Sequence, residues 1–562
     1  MPITLNRHSS VPLYRQLVNA LREDIVSGAL AANYKLPPER ELAERLGVNR
    51  ATVLQAYQQL KSEGLIASHV GRGTFVCASD DRQGGAPPWQ ILFSDYSNRF
   101  TYHDIAAADQ AQQAPDAIDF ATGSQNPADI PDDLLRSVSI RAFESADFHS
   151  TQESPIEGFP QLRELLADHM TQRGVRCDAD NVMVLSGAEQ GLDLCVRAFV
   201  NPGDCVLVEQ STFFPALQAF RSADARVIGV PIDEHGMRTD LLDGYCKRFH
   251  PKLIFTIPTF QNPSGATMPL RRRREIVETA MRYQCLVIED DPYGELCYSG
   301  RTDGAMDAGG HGGIGGIGST GNAGIGHVGN IGNAVNVGNS GDANNVSGAS
   351  IASIPGNASG AGNASGAPSQ RPRELTPLKG MENAGYVIYL STFSKTVTPG
   401  LRTGWLVADS HVIARIAALR RMIDQHTSSS SQLICMELLS SGRIGRHIGR
   451  LCEIYGHRRD LMLDALRRYA PDGMRWNTPL GGYYLWARLP DGLRAARLLD
   501  DARHAGVTFM PGDMFAVDED DSSHIRLNFV RPDSRQIAPG IRLLCDTIAE
   551  AARGTDGRGG ER

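Results

Sequence analysis

From about residue 116 onward, short apolar runs alternate with amphipathic stretches of helical periodicity. Such alternation is typical of a mostly parallel sheet flanked by helices. A smaller α/β part is expected after about residue 430. The runs that we predict as strands are 182–185, 205–208, 227–230, 253–257, 286–288, 387–390 and 405–407, then 482–488 and 524–530 in the smaller part. A chain of 562 residues is too long for one core, so at least one further domain is expected.

The first 76 residues have a different pattern. Pro38 opens a short helix over 39–46, and Asn49 can cap a third helix that ends near Gly64. Short β-like runs at 65–67 and 74–76 predict a hairpin. A first helix is predicted by four apolar residues at four-residue spacing, Leu13, Leu17, Leu21 and Ile25. Three short helices and a hairpin make a winged helix-turn-helix.

Charge separates this head from the rest of the chain. Residues 1–76 hold nine Lys or Arg and six Asp or Glu, a balance of +3, whereas the whole chain has a net charge of −8. A basic head on an acidic body is typical of a protein that contacts DNA through one domain. The ten cysteines include no Cys-x-x-Cys pair, and no apolar run approaches 18 residues. We expect a cytoplasmic protein without a metal site.

Two segments are predicted to lie outside the folded domains. Residues 78–115 have little periodicity and are interpreted as a linker. Between residues 308 and 370 the only formal charge is Asp342, and Gly, Asn, Ala and Ser dominate, which predicts a disordered inserted loop without a nucleotide-binding role. The expected domains are a DNA-binding head at 1–77, an α/β domain at 116–550 interrupted by that loop at 301–373, and a flexible tail at 551–562.

Lys395 follows the apolar run 386–390 and lies in a Ser/Thr-rich segment, with Arg402 seven residues further on. A lysine fixed at the end of a buried strand, among hydroxyl groups, suits a Schiff base to pyridoxal 5′-phosphate. A lone lysine in such a segment would more often be a surface residue. Its neighbours along the chain therefore decide the interpretation.

The head resembles the GntR-type winged helix in four motifs, at 36–43, 46–53, 56–60 and 71–76. The resemblance implies that the starts of the second and third helices reach the major groove or its phosphates and that the wing tip reaches the minor groove. The DNA-binding residues that it implies are Arg40, Arg50, Thr52, Gly71 and Arg72. The alternative is a set of solvated arginines on a small protein-binding domain.

The rest of the chain resembles class I aminotransferases of PLP fold type I. The turn 186–190 follows a strand and opens a helix, so that backbone N–H groups of Ala188 and Glu189 would bind the cofactor's phosphate. Relatives usually have glutamine at the position of Glu189. Phe213 matches the aromatic residue that stacks on the cofactor ring, although a core phenylalanine is the alternative.

The resemblance also assigns the polar residues at later strand ends. Asp290 would pair with the pyridine nitrogen, and Asn262 and Tyr293 would bind the phenolic oxygen. Taken singly, Asn262 could be a turn signal and Asp290 a helix cap. Around Lys395, the implied phosphate ligands are Thr392, Ser394 and Arg402.

Arg526 matches the arginine that binds a substrate's α-carboxylate, and Gly123 is expected to line the same pocket. An exposed edge-strand charge is the alternative for Arg526. One departure concerns the segment 148–155, which contains no tyrosine. Relatives usually place a tyrosine there that reaches the phosphate of the partner subunit.

Together the two resemblances match the MocR subfamily of GntR-type regulators. They imply an N-terminal winged helix-turn-helix joined to a large α/β aminotransferase-like domain. The implied cofactor is pyridoxal 5′-phosphate, and the implied partners are promoter DNA, a small amino-compound effector and a second copy of the chain. One alternative is an active aminotransferase with an accessory DNA-binding head. Another is a DNA-binding protein with a vestigial cofactor site.

Overall fold

The computed structural model describes residues 5–7, 11–31, 34–69, 73–77, 93–94, 96–97, 117–145, 153–298, 375–517 and 522–556. The predicted wing tip with Gly71 and Arg72, the predicted inserted loop and nearly all of the predicted linker lie outside these residues. Residues 299–375 form a unit of their own, of which only Leu375 is described, and the remaining residues form the other unit.

The head consists of three helices and a hairpin, as predicted. Gly47 ends the second helix with a positive φ of 62°, and the Asn49 side chain accepts a hydrogen bond from the Ala51 N–H to cap the third. Leu17, Leu42 and Val53 are fully buried between the helices. The elements are α1 (Leu13–Val26), α2 (Glu39–Leu46), α3 (Arg50–Ser62), β1 (Ile66–His69) and β2 (Gly73–Val76), with β1 and β2 antiparallel.

The first half of the body alternates strands and helices. Its elements are β3 (Ile118–Asp119), α4 (Asp132–Glu144), α5 (Pro160–Gln172), β4 (Val182–Leu185), α6 (Ala188–Phe199), β5 (Cys205–Glu209), α7 (Phe214–Ser222), β6 (Arg226–Val230), β7 (Ile232–Asp233), β8 (Gly236–Met237), α8 (Leu242–Phe249) and β9 (Leu253–Thr256).

The second half continues the pattern. Its elements are α9 (Leu270–Tyr283), β10 (Leu286–Asp290), β11 (Val387–Thr392), β12 (Gly404–Val407), α10 (Ser410–Arg420), α11 (Ser429–Ser440), α12 (Ile444–Tyr469), β13 (Arg475–Trp476), β14 (Tyr484–Arg488), α13 (Ala495–His504), β15 (Val507–Thr508), β16 (Met510–Pro511), β17 (His524–Asn528) and α14 (Ser534–Asp556). Helix α14 continues six residues into the expected tail, so the prediction of a flexible tail from residue 551 is wrong for 551–556. Short 3₁₀ helices lie at Pro127–Asp129, Ala179–Asn181, Thr239–Leu241, Leu378–Met381, Pro399–Leu401 and Gly512–Phe515.

Seven strands form the central sheet, in the order β4-β12-β11-β10-β9-β5-β6. Strand β12 runs antiparallel to both of its neighbours, and the other pairs are parallel, so the mostly parallel sheet is confirmed. All residues of β5, β9 and β11 are buried, which explains why these segments read as continuous apolar runs. A second sheet, β13-β14-β17-β16, belongs to the smaller C-terminal part.

The topology brings the polar strand ends together. Strands β5, β9, β10 and β11 are parallel neighbours, so their carboxyl ends lie at one edge of the sheet, which is where ligands bind in α/β folds. Within the described residues, no helix is long and apolar enough to cross a membrane.

Candidate functional site

A cavity of about 130 Å³ lies at the carboxyl edge of the central sheet. All ten residues predicted to bind the cofactor line it. Its lining consists of Gly187, Ala188, Glu189, Phe213, Ile257, Asn262, Asp290, Pro292, Tyr293, Thr392, Ser394, Lys395, Pro399 and Arg402. These residues come from five strand ends and the start of α6, so the fold gathers side chains that are separated by more than 200 positions in the sequence.

One end of the cavity is built to receive an anion. Helix α6 begins at Ala188, and its first N–H groups have no partner within the helix. Gly187 has a φ of 121°, and a Cβ there would lie 3.2 Å from Nη2 of Arg402. Arg402 donates a hydrogen bond of 3.1 Å to the Ser186 carbonyl, which keeps its guanidinium beside the turn. A phosphate group fits this arrangement of backbone donors and arginine.

Asp290, the last residue of β10, is almost completely buried, and its Oδ1 has no hydrogen-bond partner within the described residues. Burial raises the pKa of the Asp290 carboxyl from 3.8 to about 8, and the negative charges of Asp291 and Glu189 add to this effect. Lys395 acts in the opposite direction. An unpaired buried carboxyl is stabilised by a cationic partner, so Asp290 fits a protonated pyridine nitrogen.

Lys395 lies just beyond β11 with its amine directed to the same space. Its Nζ donates to the Gly123 carbonyl at 2.8 Å, which places Gly123 beside this lysine. Tyr483 donates to the Lys395 carbonyl at 2.6 Å and so fixes the backbone of the lysine. The lysine is therefore held by the site and is not a mobile surface residue.

Arg526, on β17, is 4% exposed. Its Nη1 donates to Oδ1 of Asn262 at 3.1 Å and its Nη2 to the Ala121 carbonyl at 2.7 Å. The guanidinium carbon lies 4.1 Å from the centre of the Tyr484 ring. Among the described residues, no carboxylate forms an ion pair with Arg526, and its Nε has no acceptor. A buried guanidinium without an anion fits a ligand carboxylate, and the exposed alternative for Arg526 is wrong.

Several residues at the site were not predicted. Ile257, Pro292 and Pro399 line the cavity, and the hydroxyls of Tyr293 and Tyr484 lie 3.2 Å apart. Tyr293 follows β10, whereas Tyr484 begins β14 of the smaller sheet. No local spacing in the sequence indicates that this strand reaches Tyr293. A tyrosine hydroxyl in a buried strand was the one signal that could have indicated it.

The residues of the head that were predicted to contact DNA divide into two groups. Arg40 and Arg50 are exposed, at the second residue of α2 and the first of α3, and Thr52 is half-buried on α3. The Arg50 side chain is 57% exposed and forms an ion pair of 3.2 Å with Glu39. Both arginines are therefore accessible at helix N-termini, where phosphates bind. Gly71 and Arg72 lie outside the described residues.

The raised pKa of Asp290 has a consequence for stability. In cofactor-free protein, ionisation of Asp290 is easier in the unfolded chain (pKa near 3.8) than in the folded one (about 8). The contribution of the protonated Asp290 carboxyl to the free energy of unfolding is therefore complete below pH 4. As pH rises toward 8, the free energy of unfolding falls by at most about 1.4 kcal/mol per pH unit. We expect Asp290→Asn protein to gain stability relative to wild type over this window in denaturant titrations, whereas the exposed control Asp472→Asn should not. Parallel pH profiles for wild type and Asp290→Asn would contradict this.

Comparison with known proteins agrees with this geometry. The family model of bacterial regulatory proteins of the gntR family matches residues 13–76, and that of aminotransferase class I and II matches residues 120–311 and 360–542. The chain is 31% identical over 468 residues to aromatic-amino-acid aminotransferase 1 of Thermococcus litoralis, covering 82% of this chain and 95% of that one. It is 29% identical over 546 residues to YisV of Bacillus subtilis, named as an uncharacterized HTH-type transcriptional regulator, covering 96% and 97%.

Among solved structures, a kynurenine aminotransferase of Pyrococcus horikoshii is similar with a TM-score of 0.67 and 30% identity. The match covers 82% of this chain and 98% of that one. The two enzymes match 82% of this chain, whereas the similarity to the regulator covers 96% of it.

Proposed function

This chain belongs to the class I and II aminotransferase family and carries a gntR-type DNA-binding domain, and from that premise we propose that its body senses a small amino compound, or the cofactor itself, for the DNA-binding head. The combination of the two domains makes it a transcription regulator of the MocR type, and its cofactor is pyridoxal 5′-phosphate. The observation that carries the proposal is the presence, in one chain, of accessible arginines on a helix-turn-helix and a cavity with every cofactor-binding residue type.

The cavity residues would divide the binding of the cofactor among them. When bound, pyridoxal 5′-phosphate supplies an aldehyde that reacts with amines and a ring that withdraws electrons from the bonds of an attached amino compound. Lys395 would hold the aldehyde end, Asp290 would hold a proton on the ring nitrogen, and Phe213 would cover one face of the ring. Asn262 and Tyr293 would bind the phenolic oxygen. Thr392, Ser394, Arg402 and the start of α6 would bind the phosphate.

The effector that we propose is an amino compound with a carboxylate. Arg526 supports an effector with a carboxylate, because among the described residues its buried guanidinium donates hydrogen bonds only to uncharged oxygens. Its contact with Asn262 places the guanidinium next to the cavity. An effector whose amine displaces Lys395 and whose carboxylate reaches Arg526 would disturb the contacts of both residues. It would act as a regulator only if it favours one arrangement of the protein over another.

We also propose that the regulator is a homodimer in the cytoplasm, where its DNA would be. Large apolar side chains that remain exposed on the body support a second copy. They include Ile140 and Phe143 on α4, 50% and 43% exposed, and Met422 and Ile423 after α10, 86% and 53% exposed. Two heads in a symmetric dimer would contact two half-sites of DNA.

The second candidate function is transamination. It is supported by the complete set of lysine, aspartate and arginine at the cavity and by the similarity to the Thermococcus litoralis enzyme. In this reading the DNA-binding head is an accessory.

One experiment separates the two functions. Full-length protein loaded with the cofactor is incubated with amino donors and keto acids while product is measured, and the same preparation is used to select fragments from genomic DNA. We expect specific enrichment of promoter fragments and turnover far below the 1–10³ s⁻¹ of ordinary enzymes. Turnover in that range, without specific DNA enrichment, would favour the aminotransferase.

A further inference from the structure

Glu189 places a negative charge at the end of the cavity where the other residues bind anions. It is the second residue of α6, directly after Ala188, and it lines the cavity together with Arg402. The residue is exposed, and within the described part of the chain its side chain has no hydrogen bond or ion pair. Its carboxylate is therefore not neutralised by a protein partner.

With the cofactor bound, the formal charges of the side chains that line the cavity balance to zero. Lys395 and Arg402 are positive, Glu189 is negative, and Asp290 is negative because it would then face a protonated ring nitrogen. In the proposed function, Lys395 and Asp290 are occupied by the aldehyde and by the ring nitrogen. The phosphate, which is close to a dianion at neutral pH, is then left with Arg402 and Glu189, whose charges cancel.

The hydroxyls of Thr392 and Ser394 near the phosphate end are neutral donors and carry no charge that could offset Glu189. The Thr392 hydroxyl lies 3.1 Å from the Thr403 carbonyl and 2.9 Å from Oγ of Ser394, so its proton already has an acceptor in the protein. Ala188 contributes only its backbone N–H. The remaining attraction comes from Arg402 and from the N-terminus of α6, and Glu189 opposes both.

The charge of Glu189 acts on other groups that line the cavity. It contributes to the raised pKa of the Asp290 carboxyl. A charge that affects Asp290 also acts on a phosphate bound beside the first turn of α6, where Glu189 itself lies.

We propose that Glu189 sets a low affinity of this pocket for phosphorylated pyridoxal, so that occupancy follows the free concentration of the cofactor. The inference rests on the proposed function, since it concerns the same site, and it names the cofactor as a ligand whose level the protein reports. A neutral side chain of the same shape at position 189 would convert the pocket into one that stays occupied.

The test compares wild-type protein with Glu189→Gln and with the control Glu164→Gln, an exposed glutamate on α5 away from the cavity. Full-length protein is stripped of cofactor and titrated with pyridoxal 5′-phosphate and, separately, with pyridoxal, which has no phosphate. Binding is followed by absorbance at constant pH and salt. We expect Glu189→Gln to bind pyridoxal 5′-phosphate roughly tenfold more tightly than wild type. Its gain for pyridoxal should be much smaller, and Glu164→Gln should be unchanged.

Equal or weaker binding of pyridoxal 5′-phosphate by Glu189→Gln would overturn the role of Glu189 and leave the proposed function intact. An equal gain for both ligands would also overturn it, because the effect would then not act through the phosphate. If wild type and both variants fail to bind pyridoxal 5′-phosphate, the cofactor site itself is wrong, and the proposed function fails together with the inference.

Discussion

Full-length protein loaded with pyridoxal 5′-phosphate is expected to be yellow, and the Lys395→Ala variant is expected to lose that visible absorption band. The amine of Lys395 is held beside the cavity by its contact with the Gly123 carbonyl, and Tyr483 fixes its backbone. Among the described residues that line the cavity, it is the one lysine. No other amine of the lining could take its place in a covalent bond to the aldehyde.

The matched control is Lys252→Ala, which removes an exposed lysine of the body close to β9. It should keep the visible band at full intensity. Dialysis distinguishes cofactor that is bound without a covalent bond from cofactor attached to Lys395. The Lys395→Ala variant should lose its cofactor within hours, whereas wild type should retain more of its cofactor over the same time. A visible spectrum of Lys395→Ala identical to that of wild type would show that the cofactor is attached elsewhere.

The Arg50→Ala variant is expected to bind a selected promoter fragment more weakly by about 1–3 kcal/mol while keeping its cofactor. Arg50 is the first residue of the third helix of the head, and more than half of its side chain is exposed. Its ion pair with Glu39 lies at the surface, so its loss should change the stability of the head by less than about 1 kcal/mol. The effect therefore belongs to DNA binding and not to folding.

Fluorescence anisotropy with labelled DNA measures this loss, and the spectrum of the cofactor is recorded on the same sample. The control is Arg415→Ala, an exposed arginine on α10 of the body. It should leave DNA affinity within twofold of wild type at the same salt concentration. If Arg50→Ala and Arg415→Ala bind the fragment equally well, the assignment of α3 as the recognition helix is wrong.

The resemblance to class I aminotransferases predicted most of the residues that line the cavity, and the strand pattern agrees with it because these residues stand at the ends of recognisable strands. Asn262, Asp290 and Lys395 each follow a buried apolar run, and parallel neighbours end at one edge of the sheet. The start of α6 was predictable for a similar reason, because a Gly-Ala pair between a strand and a helix leaves backbone donors free.

The parts that could not be predicted depend on contacts between distant segments. Tyr484 and Arg526 lie on neighbouring strands of the smaller sheet. The contacts of Arg526 with Asn262 and of Tyr484 with Tyr293 depend on how that sheet packs against the central one. That Oδ1 of Asp290 has no hydrogen-bond partner among the described residues is likewise a property of the folded core. Hydrophobic periodicity carries no information about either.

The central claim is that occupancy of the cavity changes DNA binding by the head. The direct measurement is the affinity of full-length wild-type protein for one selected promoter fragment, first stripped of cofactor and then saturated with pyridoxal 5′-phosphate at the same salt concentration. We expect a change of at least fivefold, in the range of ordinary coupling free energies, and a much smaller change for Lys395→Ala. Equal affinities of the stripped and saturated wild-type protein would contradict it.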